Sequence, residues 1–390
     1  MNKTRFGMAA LLLLVGCSRQ DAQTLTVACY YFGNYHPGDP RNEKDRGPGW
    51  TEWEMVRRAK PRFAGHPQPK VPIWGYEDES DPSVMARKID AAADHGIDVF
   101  IFDWYHYDDG PFLDAPLDKG FLQAPNNRRL WFALMWANHD WLDLFPARKD
   151  KPRELMYPGK VTPETFGRIG DLLITRYFKH PAYWRIDGKP YFSIYDLANL
   201  TDGLGGIEQT REALDAFRAK AAAAGLPGLH LNLVAWGRPV GDFAQLIPQL
   251  GFDSATSYVW VHHVSLPDPA TDYNAVHDAY LAFADQAKAA CPVPYYPNVT
   301  LGWDPSPRCS ISDPFGPFGY PFTNTIGNNT PAHVEAALRR AKERLLADPG
   351  GPRILTVNSW NEWTEGSYLE PDTRNGYRYL QAVKNVFRPR

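Results

Sequence analysis

Two carboxylates three residues apart, Glu362 and Glu365, stand in the run Asn358-Ser359-Trp360-Asn361-Glu362-Trp363-Thr364-Glu365-Gly366. Paired acids are the usual equipment for cleaving a glycosidic bond: one protonates the leaving oxygen while the other acts as base or nucleophile. A bare E-x-x-E is most often a pair on a solvated helical turn. Here Trp360 and Trp363 argue against that, because a solvated face rarely carries two tryptophans and aromatic faces suit sugar rings. On one helical turn, residues i and i+3 have Cβ atoms about 5–6 Å apart, close enough to serve one sugar ring. Acids so near each other in an aromatic site are expected to have separated pKa values, one charged and one protonated. An inverting pair instead needs carboxylates roughly 6.5–9.5 Å apart. Asp103 or Asp196 is the candidate partner for that alternative.

The acids directly follow Ile354-Leu355-Thr356-Val357, a β-branched apolar run that reads as a buried strand. Seven more such runs recur: 25–31, 97–104, 130–136, 190–195, 230–236, 252–258 and 295–301, the last strand being 353–360. Helical periodicity fills the intervals at 82–95, 162–179, 206–224, 242–250, 272–290, 330–347 and 374–387, with a shorter helix near 115–123. Eight strands alternating with helices predict an α/β fold, a single (β/α)8 TIM barrel with long βα loops over residues 25–390. An open doubly wound sheet is the runner-up, but no G-x-G-x-x-G follows the first strand.

A parallel barrel keeps its chemistry at the carboxyl ends of the strands. Those ends are unusually aromatic and polar: Tyr31; Asp103, Tyr105 and His106; Trp136, Asn138 and His139; Tyr195 and Asp196; Trp236; Tyr258; Trp303; and Asn361 with Trp363. A packed core has no use for so many hydroxyls, amides and imidazoles unless they face a cleft, so all are expected substrate contacts. Trp50, Glu52 and Trp53 lie in a long loop after the first strand, either as a sugar-binding wall or as a loop anchor with Glu52 bonded to a helix end.

The first residues concern the compartment. Lys3 and Arg5 precede a short apolar core, Met8 to Val15, which ends in Leu14-Val15-Gly16-Cys17. That ending resembles the lipobox of bacterial lipoproteins and implies a signal peptide over 1–16, acylation of Cys17, a tether over 17–24 and an exported chain anchored in the periplasm or outer membrane. Of the other cysteines, Cys29 lies within an apolar strand, while Cys291 and Cys309 flank a Pro-rich loop and either pair or remain thiols. No metal-ligand spacing occurs, and the adjacent His262 and His263 would point to opposite faces if on a strand, so neither metal nor cofactor is expected. A net charge of −3 gives no basic footprint for nucleic acid or acidic lipid, so the membrane is met only through Cys17. Aromatics at 14%, 35 prolines and 31 glycines describe an aromatic, loop-rich chain of the kind that handles polysaccharides.

Glu362-Trp363-Thr364-Glu365 resembles the E-W-x-E motif of glycoside hydrolase family 99, and more closely a broad family 99-like group, some of it labelled glycosyltransferase. The likeness extends to Gly49-Trp50-Thr51-Glu52-Trp53, the stretch from Pro61 to His66, the strand end from Ile101 to His106 and Tyr368-Leu369-Glu370-Pro371-Asp372. Thr364 departs from the pattern, where family 99 commonly has His. The resemblance implies a retaining, endo-acting α-mannosidase-like hydrolase without a covalent enzyme intermediate. By position, Glu362 would take the proton of the sugar 2-hydroxyl and Glu365 would protonate the leaving oxygen. The substrate would be an α-mannan-like or other bacterial polysaccharide. A non-catalytic glycan-binding lipoprotein and a glycosyltransferase are the alternatives.

Overall fold

The structure is a computed structural model and describes residues 25–388. The expected signal peptide, Cys17 and the tether lie outside the described residues.

Eight parallel strands form the barrel: Thr26–Tyr31, Val99–Tyr107, Trp131–Trp136, Lys189–Ile194, His230–Val234, Ser254–Thr256, a seventh in two pieces, Tyr295–Tyr296 and Asn298–Thr300, and Ile354–Asn358. Each pairs with its sequence neighbour, and strand one closes on strand eight with Thr26 opposite Ile354. Strand seven is split by Pro297, which has no N–H to give a ladder. Its first piece pairs with strand six (Ala255 opposite Tyr295) and its second with strand eight (Asn298 opposite Thr356). The Pro297 carbonyl still accepts the Thr356 N–H at 3.0 Å, so the ring remains closed across the break.

The helical layer follows the caps in the sequence. Asp81 accepts the Ser83 N–H at the start of Pro82–His95, Pro82 supplies a first position that needs no donor, and Gly96 ends the helix at φ 95°. Asp272 and Thr330 cap Tyr273–Ala290 and Pro331–Leu346 in the same way. Three expected helices differ. The 162–179 segment is helical over Pro163–Leu172 and then widens into a π turn, Leu173–Tyr177. The segment near 115–123 is a single π turn, Pro116–Phe121. The last helix starts only at Arg378, because the Asp372 carboxylate accepts the Arg374 N–H at 2.8 Å and folds the preceding residues into a turn.

Cys291 and Cys309 are not paired; both are free thiols, as is Cys29. Cys291 caps the helix that precedes strand seven, whereas Cys309 follows that strand, so the two lie toward opposite ends of it. Among the described residues no helix is long and apolar enough to cross a membrane.

Candidate active site

Strand eight delivers the two acids through a small hairpin. Asn361–Glu362 pairs antiparallel with Ser367–Tyr368, and a 3₁₀ turn, Trp363–Glu365, joins them. Ser359 Oγ accepts the Glu362 N–H at 3.0 Å. Gly366 closes the turn at φ 68°, where a Cβ would meet the Asp304 Cβ at 2.8 Å. Only glycine fits that backbone and that space.

One arginine organises the acids. Arg308, in the long loop after strand seven, is buried and donates from Nε to Glu52 at 2.8 Å, from Nη1 to Glu365 at 2.5 Å and from Nη2 to Glu362 at 3.4 Å. Nη1 also reaches Tyr320 Oη, whose hydroxyl donates to Glu365 at 2.7 Å. The guanidinium carbon lies 5.4 Å and 5.7 Å from the ring centres of Phe32 and Phe145. Burial raises the pKa of Glu362 well above the usual carboxylate range, and neighbouring Glu365 adds to that rise. Glu365 is also raised by burial, against the opposing pull of Arg308 and Tyr320.

Around them opens a cleft of about 900 Å³ at the carboxyl ends of the strands, the size range of small-ligand sites. Asp103 accepts from Tyr258 Oη at 2.8 Å, its other oxygen has no partner, and burial holds its carboxyl well above the usual range. The same tyrosine lies 3.5 Å from Glu362, so one hydroxyl stands between two acids. Trp236 stacks on His262 and Tyr195 meets it edge-on, and the pKa of His262 is pushed down to about 3 by burial, with smaller contributions from His263 and His139.

Of the predicted contacts, Asp103, Tyr105, His139, Tyr195, Asp196, Trp236, Tyr258, Trp303, Glu362 and Glu365 line this cleft. The others do not. Strand alternation turns Tyr31 and His106 to the helical side: Tyr31 packs on Phe102 at 4.8 Å and His106 on Trp104 at 5.4 Å. Trp136 likewise packs on Phe166 of the helix Pro163–Leu172. Asn138 is fully buried and its amide donates to the Asp196 carbonyl at 2.8 Å, tying two strand ends together. Trp50 packs edge-on against Phe145, and Trp53 against Tyr35 at 4.2 Å, both beneath the cleft lining. Glu52 is fully buried and meets Arg308, Asn34 and Thr364 instead of the cleft.

Asn361 and Trp363 hold the hairpin from behind. Asn361 accepts the Phe32 N–H at 2.8 Å and donates to the Phe32 carbonyl at 2.7 Å and to Glu79 at 3.0 Å. Trp363 Nε1 donates to Glu370 at 2.6 Å, and buried Lys88 pairs with both Glu79 and Glu370. His262 and His263 both line the cleft, against the expectation of opposite faces, because Trp260–His262 is a 3₁₀ turn and not a strand. Among the described residues no group of three or more His, Cys, Asp or Glu is placed to hold a metal ion. Arg308 and Tyr320 were not legible in the sequence: Pro305-Ser306-Pro307-Arg308 carries no spacing signal, only proline-rich loop composition.

The fold is shared with known carbohydrate enzymes. The family 99 endo-α-mannosidase of Bacteroides thetaiotaomicron superposes with a TM-score of 0.56 at 15% identity, over 92% of this chain and 96% of that one. A glycoside hydrolase-like protein gives a TM-score of 0.61 at 14% identity, over 93% and 94%. At such identities the likeness establishes the fold alone. In sequence, the uncharacterized protein WxcX of Xanthomonas campestris pv. campestris strain B100 is 27% identical over 374 residues, 93% of this chain and 49% of that protein. The chain thus spans about half the length of the curated relatives it matches. A family model described as glycosyltransferase WbsX matches residues 27–383, nearly the whole described chain, and the protein belongs to that WbsX family.

Proposed function

We propose that the protein is a glycoside hydrolase that cleaves an α-linked polysaccharide internally, with retention. The observation that carries this is the pair Glu362 and Glu365, both buried at the end of strand eight and both lining one aromatic cleft. Glu362 takes the proton of the sugar 2-hydroxyl, whose oxygen attacks the anomeric carbon as the glycosidic bond breaks. Glu365 gives its proton to the leaving oxygen. The resulting 1,2-anhydro sugar is opened by water: Glu365 removes a water proton, the oxygen bonds to the anomeric carbon, and the 2-oxygen recovers its proton from Glu362. Asp103, Tyr105, His139, Tyr195, Asp196, Trp236, Tyr258 and Trp303 hold the sugar rings and hydroxyls.

One observation favours a second assignment of the acids. Arg308 and Tyr320 both hydrogen-bond Glu365 and favour its ionised form, whereas Glu362 is the more strongly raised carboxyl. The first step written above needs the reverse distribution, so either the substrate transfers a proton between the two or their roles are exchanged. A glycosyl fluoride separates the assignments, because fluoride leaves without protonation. The variant lacking the acid still releases fluoride in the first turnover, although its later opening of the anhydro sugar is slowed, and the variant lacking the base does not release it.

The family's description as a glycosyltransferase is a competing reading. Incubation with α-mannans and bacterial O-polysaccharides, beside Glu362→Gln and Glu365→Gln, tests the proposal. Oligosaccharides released by the wild type and by neither variant support hydrolysis; no release, with sugar transfer from a nucleotide sugar, overturns it. Glycan binding with neither activity leaves a binding lipoprotein. Export and acylation of Cys17 complete the proposal, and mass spectrometry of the mature N-terminus checks them.

A further inference from the structure

Two properties of the cleft wall narrow the ligand, given the carbohydrate reading of the cleft on which this inference rests. The first is charge. Asp103, Asp140, Asp196, Glu362 and Glu365 line the cleft, and Arg308 is the one lysine or arginine among the described residues that does. Arg308 already spends its N–H groups on Glu52, Tyr320, Glu365 and Glu362. Every histidine there is biased toward the neutral form: burial pushes His262 down to about 3 and His263 to about 4, and it lowers His139. A uronate or sulfate on the glycan would find no free cation, in a cleft where burial already disfavours the charged form of Asp103, Glu362 and Glu365.

The second property is aliphatic surface. Leu142 and Leu144 after strand three, Val261, Val264 and Leu266 after strand six, and Phe322 after strand seven all face the cleft. Five of these six offer neither an aromatic face to a sugar ring nor a partner to a hydroxyl. A hydroxyl placed against them gives up water without replacement, whereas a methyl group gains from leaving water.

We infer that the cleft takes a neutral glycan whose sugars carry methyl groups, as 6-deoxyhexoses or acetylated hexoses, and rejects chains bearing uronate or sulfate. The test uses four matched α-linked manno-oligosaccharides: unmodified, oxidised at C6 to the uronate, 6-deoxy, and O-acetylated. Affinities are measured by calorimetry on full-length wild type and on Glu365→Gln, with product analysis of the wild type in parallel. The oxidised form is expected to bind at least tenfold more weakly than the parent, because its carboxylate leaves water without gaining a cation. At least one methyl-bearing form should bind about fourfold more tightly per seated methyl, and should lose that gain in Val264→Asn with Leu266→Asn. A gain confined to the 6-deoxy or to the acetylated form identifies the source of the methyl. Equal affinity for the oxidised form, no gain with either methyl-bearing form, or no binding of any member overturns the inference. The expected order without cleavage leaves it standing and removes the hydrolase reading; cleavage without that order does the opposite.

Discussion

Arg308 Nε stands 2.8 Å from Glu52 Oε1, joining a loop after strand seven to a loop after strand one behind the two cleft acids. This fixed pair orients the rest of the guanidinium, so that Nη1 meets Glu365 and Nη2 meets Glu362. The arginine is therefore both counter-ion and template for the site.

Replacing Arg308 by Gln strands three buried carboxylates. Losing one partner of a buried ionic group costs about 3–5 kcal/mol. Without the arginine the raised pKa values of Glu362 and Glu365 rise further in the folded state, so the cost is greatest at alkaline pH and shrinks as pH falls and these two acids take up protons. Urea unfolding at pH 5 and pH 8 should show that difference, and an equal loss at both pH values would contradict it.

Glu52 does not line the cleft, yet Glu52→Gln should lower turnover about 100-fold, since a small misplacement of a catalytic group has effects of that order. Glycan affinity should stay within about threefold of wild type, because no cleft contact is removed. A variant that turns over normally would show that the pair is structural only.

Glu79 is fully buried, and its pKa is raised to about 7, chiefly by burial, with Lys88 opposing and Glu370 reinforcing the rise. A carboxyl whose folded pKa exceeds its unfolded value binds the extra proton in the folded state, so stability falls as pH rises from about 4.5 to about 7 and then levels. The raised carboxyls of Glu362, Glu365 and Asp103 act with the same sign. Thermal melts should therefore give a maximum on the acidic side, and Glu79→Gln should flatten the slope between pH 5 and 7.

Gly366→Ala forces a Cβ into a left-handed backbone at φ 68° and within 2.8 Å of the Asp304 Cβ. The backbone penalty alone is about 1–2 kcal/mol, and the clash shifts the turn that carries Glu365. Turnover should drop by a larger factor than stability does, which calorimetric melting beside an activity assay will show.

Most of the eight strands were legible because their buried runs are largely apolar, a signal that survives any choice of register; the exceptions are the sixth, Ser254–Thr256, and the seventh, which Pro297 interrupts. The Pro82–His95 helix was legible because Asp81, Pro82 and Gly96 mark both ends. What the sequence does not reveal is which residue of an alternating pair faces inward. Asp103 and Tyr105 line the cleft while their neighbour His106 turns to the helices, and the chain carries equally polar residues on both faces there. Arg308 and Tyr320 escaped because a loop can bring any of its residues to a site, so composition and spacing say nothing of which one arrives.

The two hydrogen bonds between Phe32 and Asn361 join residues 329 positions apart. Strand one has no final partner until strand eight exists, and the paired acids belong to that last strand. The cleft is therefore complete only in a chain whose final strand lies between the first and the seventh, so that closing the barrel and assembling the acids are one and the same contact.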